Sequence, residues 1–486
     1  MKMQHNLQCM IARKKFLLWF TGGVFIAVLL GIIDGIIIDI LLSLPKQFLL
    51  ALPFLVFVLI CGYFFLRKWP KSAILFLIVT AMLTRYRYDV GSISVRPEHV
   101  AVVIVGLIAI TRFVLELGRI WIPWPAIFLL IWWGANFLAS LFSPDIFLGV
   151  QNSLRLAVMV IIFILLINLI PNYSTWRWSV IVFLVVGILE AGFGILARVL
   201  YEFGINWGVQ VAYRFSTPVP YGTFEEGNLF GSQCAVWGII LVSLLLGNLS
   251  TGKKALITLP LFVVMAALVL SMSRAAWITF GAGATIVWVV MAKDGNRRII
   301  RLGMVMVAVP LSIFFLFLSL PLLPNAAVVE RISSFLDLKY DFTWSARLSD
   351  WSLAWQDWLQ RPLLGWGPGS FYMLHGILRF RPAWISNLTL RLLQESGLVG
   401  AISFLLFFGY STLGALRTTF QTQLGTERQL LLGLVISYVV LLGLAYQSTD
   451  GIWLAASWIH ASLLFSGAWI LRRESSAPHT HEVVAD

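Results

Sequence analysis

The chain has 486 residues, of which 59% are hydrophobic and 12% charged, with a mean hydropathy of +0.89 and a formal net charge of +13. Soluble domains carry about 25% charged residues, so the composition excludes a soluble globular protein and specifies an all-α polytopic membrane protein. Three cysteines, each in or beside an apolar run (Cys9, Cys61 and Cys234), exclude a disulfide framework. Six histidines without ligand spacing give no indication of a metal, and no cofactor is expected.

A bilayer span takes about 20 mostly apolar residues. In chain order such runs fall near 16–44, 47–66, 72–84, 100–117, 124–142, 154–170, 178–202, 229–248, 255–272, 275–292, 299–323, 388–415, 429–448 and 453–471, which predicts a bundle of 12–14 transmembrane helices. The basic start Arg13, Lys14 and Lys15 precedes the first run, and no small-residue cleavage site follows, so that run reads as a retained span. Lys and Arg in short loops mark the cytoplasmic side. With the N-terminus inside, Arg67, Lys68, Lys71, Arg119, Arg177, Lys253, Lys254, Lys293, Arg297, Arg298, Arg417, Arg428, Arg472 and Arg473 all fall in the cytoplasm. Both termini are then cytoplasmic, the net charge reflects topology, and no nucleic-acid partner is needed.

The arginines that break this rule are the informative ones. Arg85, Arg87, Arg96, Arg155, Arg198, Arg214, Arg274, Arg331, Arg347, Arg361, Arg379 and Arg381 lie on the outer side. Arg274, in ALVLSMSRAAWITF, sits between two apolar runs. It reads either as a snorkelling or ion-paired side chain or as a guanidinium facing a cavity that binds phosphate or carboxylate. In YRFSTPVPYGTFEEGNLF, Arg214 precedes the acid pair Glu225 and Glu226, and Asn228 opens a span. The pair reads as helix capping, or Glu226 reads as a general base.

Between the last inner and final three spans, residues 322–387 form one large polar loop on the outer side. Structureless loops of that length are uncommon unless they are functional. Within it Ser345-Ala-Arg347 precedes an amphipathic helix, LSDWSLAWQDWL, whose Trp351, Trp355 and Trp358 share a face in the manner of an interfacial aromatic belt. A turn cluster with Gly365, Gly367 and Gly369 follows. The next span carries Glu395 inside apolar sequence, with Arg391 one turn earlier as a local partner. The chain divides accordingly into N-terminal spans (1–210), a core with the large loop (211–420), C-terminal spans (421–471) and a disordered cytoplasmic tail (472–486).

Taken in order, these segments resemble the O-antigen ligase and O-antigen polymerase family of bacterial membrane glycosyltransferases. The matching pieces are Arg214 followed by Gly222, Thr223, Phe224 and Asn228; Ser273 with Arg274; Arg347, Trp351, Ala354, Pro362, Gly365, Gly367 and Phe371 in the loop; and Asn387, Leu390, Leu393, Glu395 and Gly397 after it. The resemblance covers roughly 210–400 and departs at Ser386, where the family has the histidine regarded as its base. A serine has no useful proton affinity near neutral pH, so Glu226, His375, Asp350 and Glu395 are the catalytic candidates. His375 reads equally as a hydrogen-bonded loop side chain.

The resemblance implies a type C glycosyltransferase-like helical bundle in the bacterial inner membrane. It also implies a polyprenyl-pyrophosphate-linked glycan donor and a glycan or lipid-sugar acceptor at the outer bilayer face. Arg214, Arg274 and Arg347 would hold the pyrophosphate without a metal, with Asn228, Ser386 and Asn387 in support. A non-catalytic lipid-glycan-binding protein and a lipid-linked oligosaccharide transporter are the other readings, although no internal repeat of the kind transporters show is found.

Overall fold

The computed structural model describes residues 69–90, 93–115, 120–212, 217–247, 249–292, 342–378, 381–422 and 425–476. Thirteen α-helices appear among the described residues: α1 (Lys71–Met82), α2 (Pro97–Leu115), α3 (Ala126–Ser140), α4 (Ile146–Leu169), α5 (Tyr173–Tyr201), α6 (Gly227–Leu246), α7 (Thr251–Leu270), α8 (Arg274–Ala292), α9 (Phe342–Gln360), α10 (Ser370–His375), α11 (Leu388–Gln421), α12 (Thr426–Gly443) and α13 (Ala455–Ser476). Three antiparallel two-stranded hairpins interrupt them: β1 (Tyr88–Val90) with β2 (Ile93–Val95), β3 (Val209–Ala212) with β4 (Thr217–Pro220), and β5 (Ile377–Leu378) with β6 (Arg381–Pro382). The protein is an all-α polytopic membrane protein. Helices α4, α5, α6, α7, α8, α11 and α12 are long and apolar enough to cross a bilayer; α1 and α3 are shorter and apolar.

Eleven of the fourteen expected spans fall on described residues, and each meets a helix. The runs at 16–44, 47–66 and 299–323 lie outside them, as do residues 322–341 of the large loop and 477–486 of the tail. The tail begins later than expected, because α13 continues to Ser476.

The chain divides into two compact units. In the smaller, to which residues 69–73, 104–115 and 120–121 belong, the Arg112 guanidinium lies 5.3 Å from the ring centre of Trp69. The larger holds 74–103 and everything from 122 onward. At its centre is α6, buried on all sides and packed by α7, α8 and α12. Lipid supplies no hydrophobic drive between helices, so close approach at small residues does the work. A Cβ on Gly433 of α12 would lie 2.9 Å from Ile240 Cα, and one on Gly238 would lie 2.9 Å from the Phe280 ring. The rings of Trp237 and Phe230 seat on Gly187 and Gly194 of α5. Side-chain caps set helix starts: Asp145 accepts Leu148 N–H (3.0 Å), Asn172 accepts Thr175 N–H (3.0 Å), and Asn387 accepts Leu390 N–H (2.9 Å).

Helix α11 is kinked at Gly397, whose φ of 60° lies in the left-handed region. The turn cluster of the large loop docks into that kink through its main chain. Trp366 N–H donates to Gln394 O (2.9 Å), Gly367 N–H to Glu395 O (2.8 Å), Leu398 N–H to Pro362 O (2.8 Å) and Val399 N–H to Leu363 O (3.2 Å). A Cβ on Gly397 would lie 2.3 Å from the carbonyl carbon of Leu363. Gly397→Ala is therefore expected to destabilise the protein by at least about 1–3 kcal/mol from backbone strain alone, and to open 362–378 to protease. A melting temperature in detergent and a limited-proteolysis map check both effects.

Candidate active site

Helix α9 begins at Phe342, earlier than expected, so Arg347 lies inside it, one turn before Asp350. Its buried residues are Ala346, Asp350, Ala354 and Asp357, at spacings of four, four and three. The helix therefore turns small and acidic residues inward against α11, while Trp355 is exposed. Two carboxylates, not the tryptophan stripe, mark its inner face. Asp357 Oδ2 accepts from His375 Nε2 at 2.8 Å, and the Phe371 ring lies 4.7 Å from the imidazole. Asp350 and Asp357 are seven residues apart, about 10 Å along the axis at 1.5 Å per residue. The His375 pair thus lies about 15 Å along α9 from Arg347.

Glu226 sits at the position preceding α6 but makes no capping hydrogen bond there. Its Oε1 accepts instead from Thr449 Oγ1 at 3.0 Å. Burial raises its carboxyl above the ordinary value; the Thr449 hydroxyl and the Arg347 charge oppose that shift, and Glu225 adds to it. Glu225 itself is half-exposed and ion-paired with Arg96. The adjacent acids thus face different partners. Asn228, in the first turn of α6, accepts the Ser232 hydroxyl through its carbonyl (2.8 Å).

Arg274 opens α8, directly after a tight turn in which Met272 takes a φ of 51°. That turn presses on the start of α6: a Cβ on Gly231 would lie 2.4 Å from Ser271 Oγ, and one on Gly227 would lie 3.4 Å from Ser271 O. Helix α8 also packs on the 3-10 turn Ala445–Gln447. Arg274, Glu226 and the connection between α12 and α13 therefore gather at one end of the bundle. Arg214 lies outside the described residues.

The same connection carries residues that the sequence did not single out. Asp450, next to Thr449, is buried and paired with Arg391 Nη1, while Arg391 Nε lies 3.0 Å from Glu395 Oε1. The Arg391 guanidinium stands between Trp384 and Trp453, 4.8 and 4.7 Å from their ring centres. Glu395 Oε1 also accepts Gly369 N–H at 2.8 Å. The expected local pair of Arg391 and Glu395 is present, and Asp450 makes it a triad. Arg391 and Glu395 border a small cavity with Trp132, Asn136, Leu156 and Ile452. Asn387 caps α11 and donates from Nδ2 to Gln447 O (3.1 Å), so it ties the loop's end to the same connection. Ser386 Oγ is buried with no hydrogen-bond partner among the described residues. The signal for Thr449 and Asp450 was the polar run QSTDG between two apolar spans.

Residues 259–405 match the family model described as O-antigen ligase. This segment of the chain is similar to O-antigen ligases. The matched segment contains Arg274, α9 with Arg347 and Asp350, His375 and the Arg391–Glu395 pair, whereas Arg214 through Asn228 precede it. No curated protein matches the chain. The match and the seven long apolar helices among the described residues support a glycan-transfer role of the ligase or polymerase type, in polysaccharide assembly at a membrane.

Proposed function

We propose that the protein transfers a glycan from a polyprenyl-pyrophosphate carrier to a glycan or lipid-sugar acceptor at the outer face of the bacterial inner membrane, with Glu226 as general base. The observation that carries this reading is the Glu226 carboxylate, partly buried and held by Thr449 where the Arg347 charge reaches it. A base works best when its proton affinity lies near the working pH, and burial moves this carboxylate in that direction. The acceptor hydroxyl attacks the anomeric carbon and its proton passes to Glu226. The bond from that carbon to the phosphate oxygen breaks, and its electron pair leaves on the pyrophosphate. Arg274 and Arg347, with Arg214, stabilise that growing charge without a metal, as preorganised cations do where water is thin.

The distribution of Lys and Arg supports an outer location for this end of the bundle and cytoplasmic termini. Asp350 acts one helical turn from Arg347 and orients its guanidinium. Asn228, Ser386 and Asn387 shape the floor of the site, while Glu395 holds the loop. His375, tied to Asp357 and well along α9, serves the acceptor side.

Arg274→Ala tests the cationic half. Losing one such contact costs about 2–4 kcal/mol of transition-state stabilisation, so transfer in vitro is expected to fall about 30-fold or more with expression intact. Retention of wild-type rates would remove Arg274 from the site. If the wild-type protein releases no polyprenyl pyrophosphate with any acceptor offered, lipid-glycan binding or transport becomes the better reading.

A further inference from the structure

Glu190 lies in α5 and is buried, and both of its carboxyl oxygens meet a single residue. Oε1 accepts Thr223 N–H at 2.6 Å, and Oε2 stands 2.9 Å from Thr223 Oγ1. The same Oγ1 lies 2.7 Å from the carbonyl oxygen of Met82, at the end of α1. A threonine hydroxyl has one proton, and a carbonyl oxygen has none to give. The hydroxyl proton goes to Met82 over the shorter contact, so the contact with Oε2 needs a proton from the carboxyl side. We propose that Glu190 is held as the neutral carboxylic acid, donating Oε2–H to Thr223 Oγ1, and that in this form it is the positioning residue for Glu226.

Burial favours the same assignment, because a neutral acid loses far less on leaving water than a carboxylate does. The link to Glu226 runs through the chain between them. Thr223 O accepts Arg85 N–H at 3.0 Å, and Phe224 N–H closes a turn on Tyr221 O at 2.9 Å. Gly222 takes a φ of 60°, and a Cβ there would lie 2.0 Å from Glu190 Oε1. The turn 221–224 is thus clamped on the carboxyl, two residues before Glu226. The groups facing this carboxyl are Cys234 of α6 and Tyr86 of the segment after α1, which interact with it electrostatically. Arg85 stacks on Tyr221 at 4.2 Å, Arg198 further along α5 is ion-paired with Glu202, and Glu225 is ion-paired with Arg96. Ionising Glu190 would leave Oε2 and the Met82 carbonyl competing for one hydroxyl proton. The turn would loosen, and Glu226 with it.

The positioning role rests on the reading of Glu226 as base, whereas the protonation state does not. The test compares wild type, Glu190→Gln and Glu190→Ala in detergent across a pH series, by thermal unfolding and by glycan transfer from a polyprenyl-pyrophosphate donor. Glutamine reproduces the neutral acid, since Oε1 accepts from Thr223 N–H and Nε2–H donates to Oγ1. A carboxyl that holds its proton more tightly folded than unfolded stabilises at low pH, and that stability is lost as pH rises through its folded ionisation. Wild type should therefore lose melting temperature and kcat on the alkaline side, and Glu190→Gln should match it at lower pH and fall less steeply, keeping only the part that Glu226 contributes. Glu190→Ala should lose about tenfold or more in kcat with KM little changed. If Glu190→Gln is as damaging as Glu190→Ala in both readouts, the carboxyl is ionised and the proposal is overturned. If Glu190→Ala keeps its kcat, the positioning role is overturned. Should wild type transfer nothing, the melting profiles still decide the protonation state.

Discussion

Glu226→Gln is expected to abolish most transfer while leaving the protein as stable as wild type or more so. A positioned general base contributes about 10²–10⁴-fold, so turnover should drop by that range in an assay that follows polyprenyl pyrophosphate release. The stability half follows from the direction of the shift. Burial raises the folded-state carboxyl above its ordinary value of 4.5, so the folded protein binds this proton more tightly than the unfolded chain. Ionisation at neutral pH therefore costs stability, and a neutral amide escapes that cost. The wild-type rate should rise with pH through an ionisation above 4.5, and residual activity in Glu226→Gln should lack that limb. A variant that keeps full turnover would show that the proton goes elsewhere.

Arg391→Ala is expected to be the most damaging single change to the fold. Arg391 and its two carboxylates are all nearly inaccessible, at 5%, 8% and 0% side-chain exposure. Removing one partner from a buried ion cluster costs about 3–5 kcal/mol, because the remaining charges stay buried without compensation. Here two carboxylates would be left close together, and Trp384 and Trp453 would lose the cation between them. Double substitution of Glu395 and Asp450 by Gln and Asn in the Arg391→Ala background should recover part of the loss. Melting temperatures of the three proteins, measured in one detergent, give the comparison.

Much of the fold was legible because span length and hydrophobicity are set by the bilayer rather than by neighbours. The apolar runs on described residues all became helices, and the 3.6-residue pattern identified α9. Which face of α9 points inward was not legible. The tryptophans carry the conspicuous periodicity, but Ala346, Asp350, Ala354 and Asp357 are the residues that pack. Small side chains permit the close approach, and that choice depends on α11, which is remote in sequence. Within the proposed site, Glu226, Arg274 and Arg347 stand out in the sequence as charges in an apolar chain. Thr449 and Asp450 do not, because a short polar connection between spans is ordinary until the partner is seen. Their importance comes from Glu226 and Arg391, respectively 223 and about 60 residues away.

The seam between the turn cluster and the kinked α11 is written in main-chain hydrogen bonds from Pro362 to Val399. Those main-chain bonds themselves do not depend on side-chain identity, and the side chains that add to the seam are few, with Glu395 accepting Gly369 N–H and Ser370 donating to Gln394. The exposed Leu363 and Leu364 can therefore be exchanged while the loop's seat on α11 stays put, whereas Trp366, whose indole donates to Asp357 O at 2.8 Å, belongs to the anchor. That separates tuning from anchoring within one short segment.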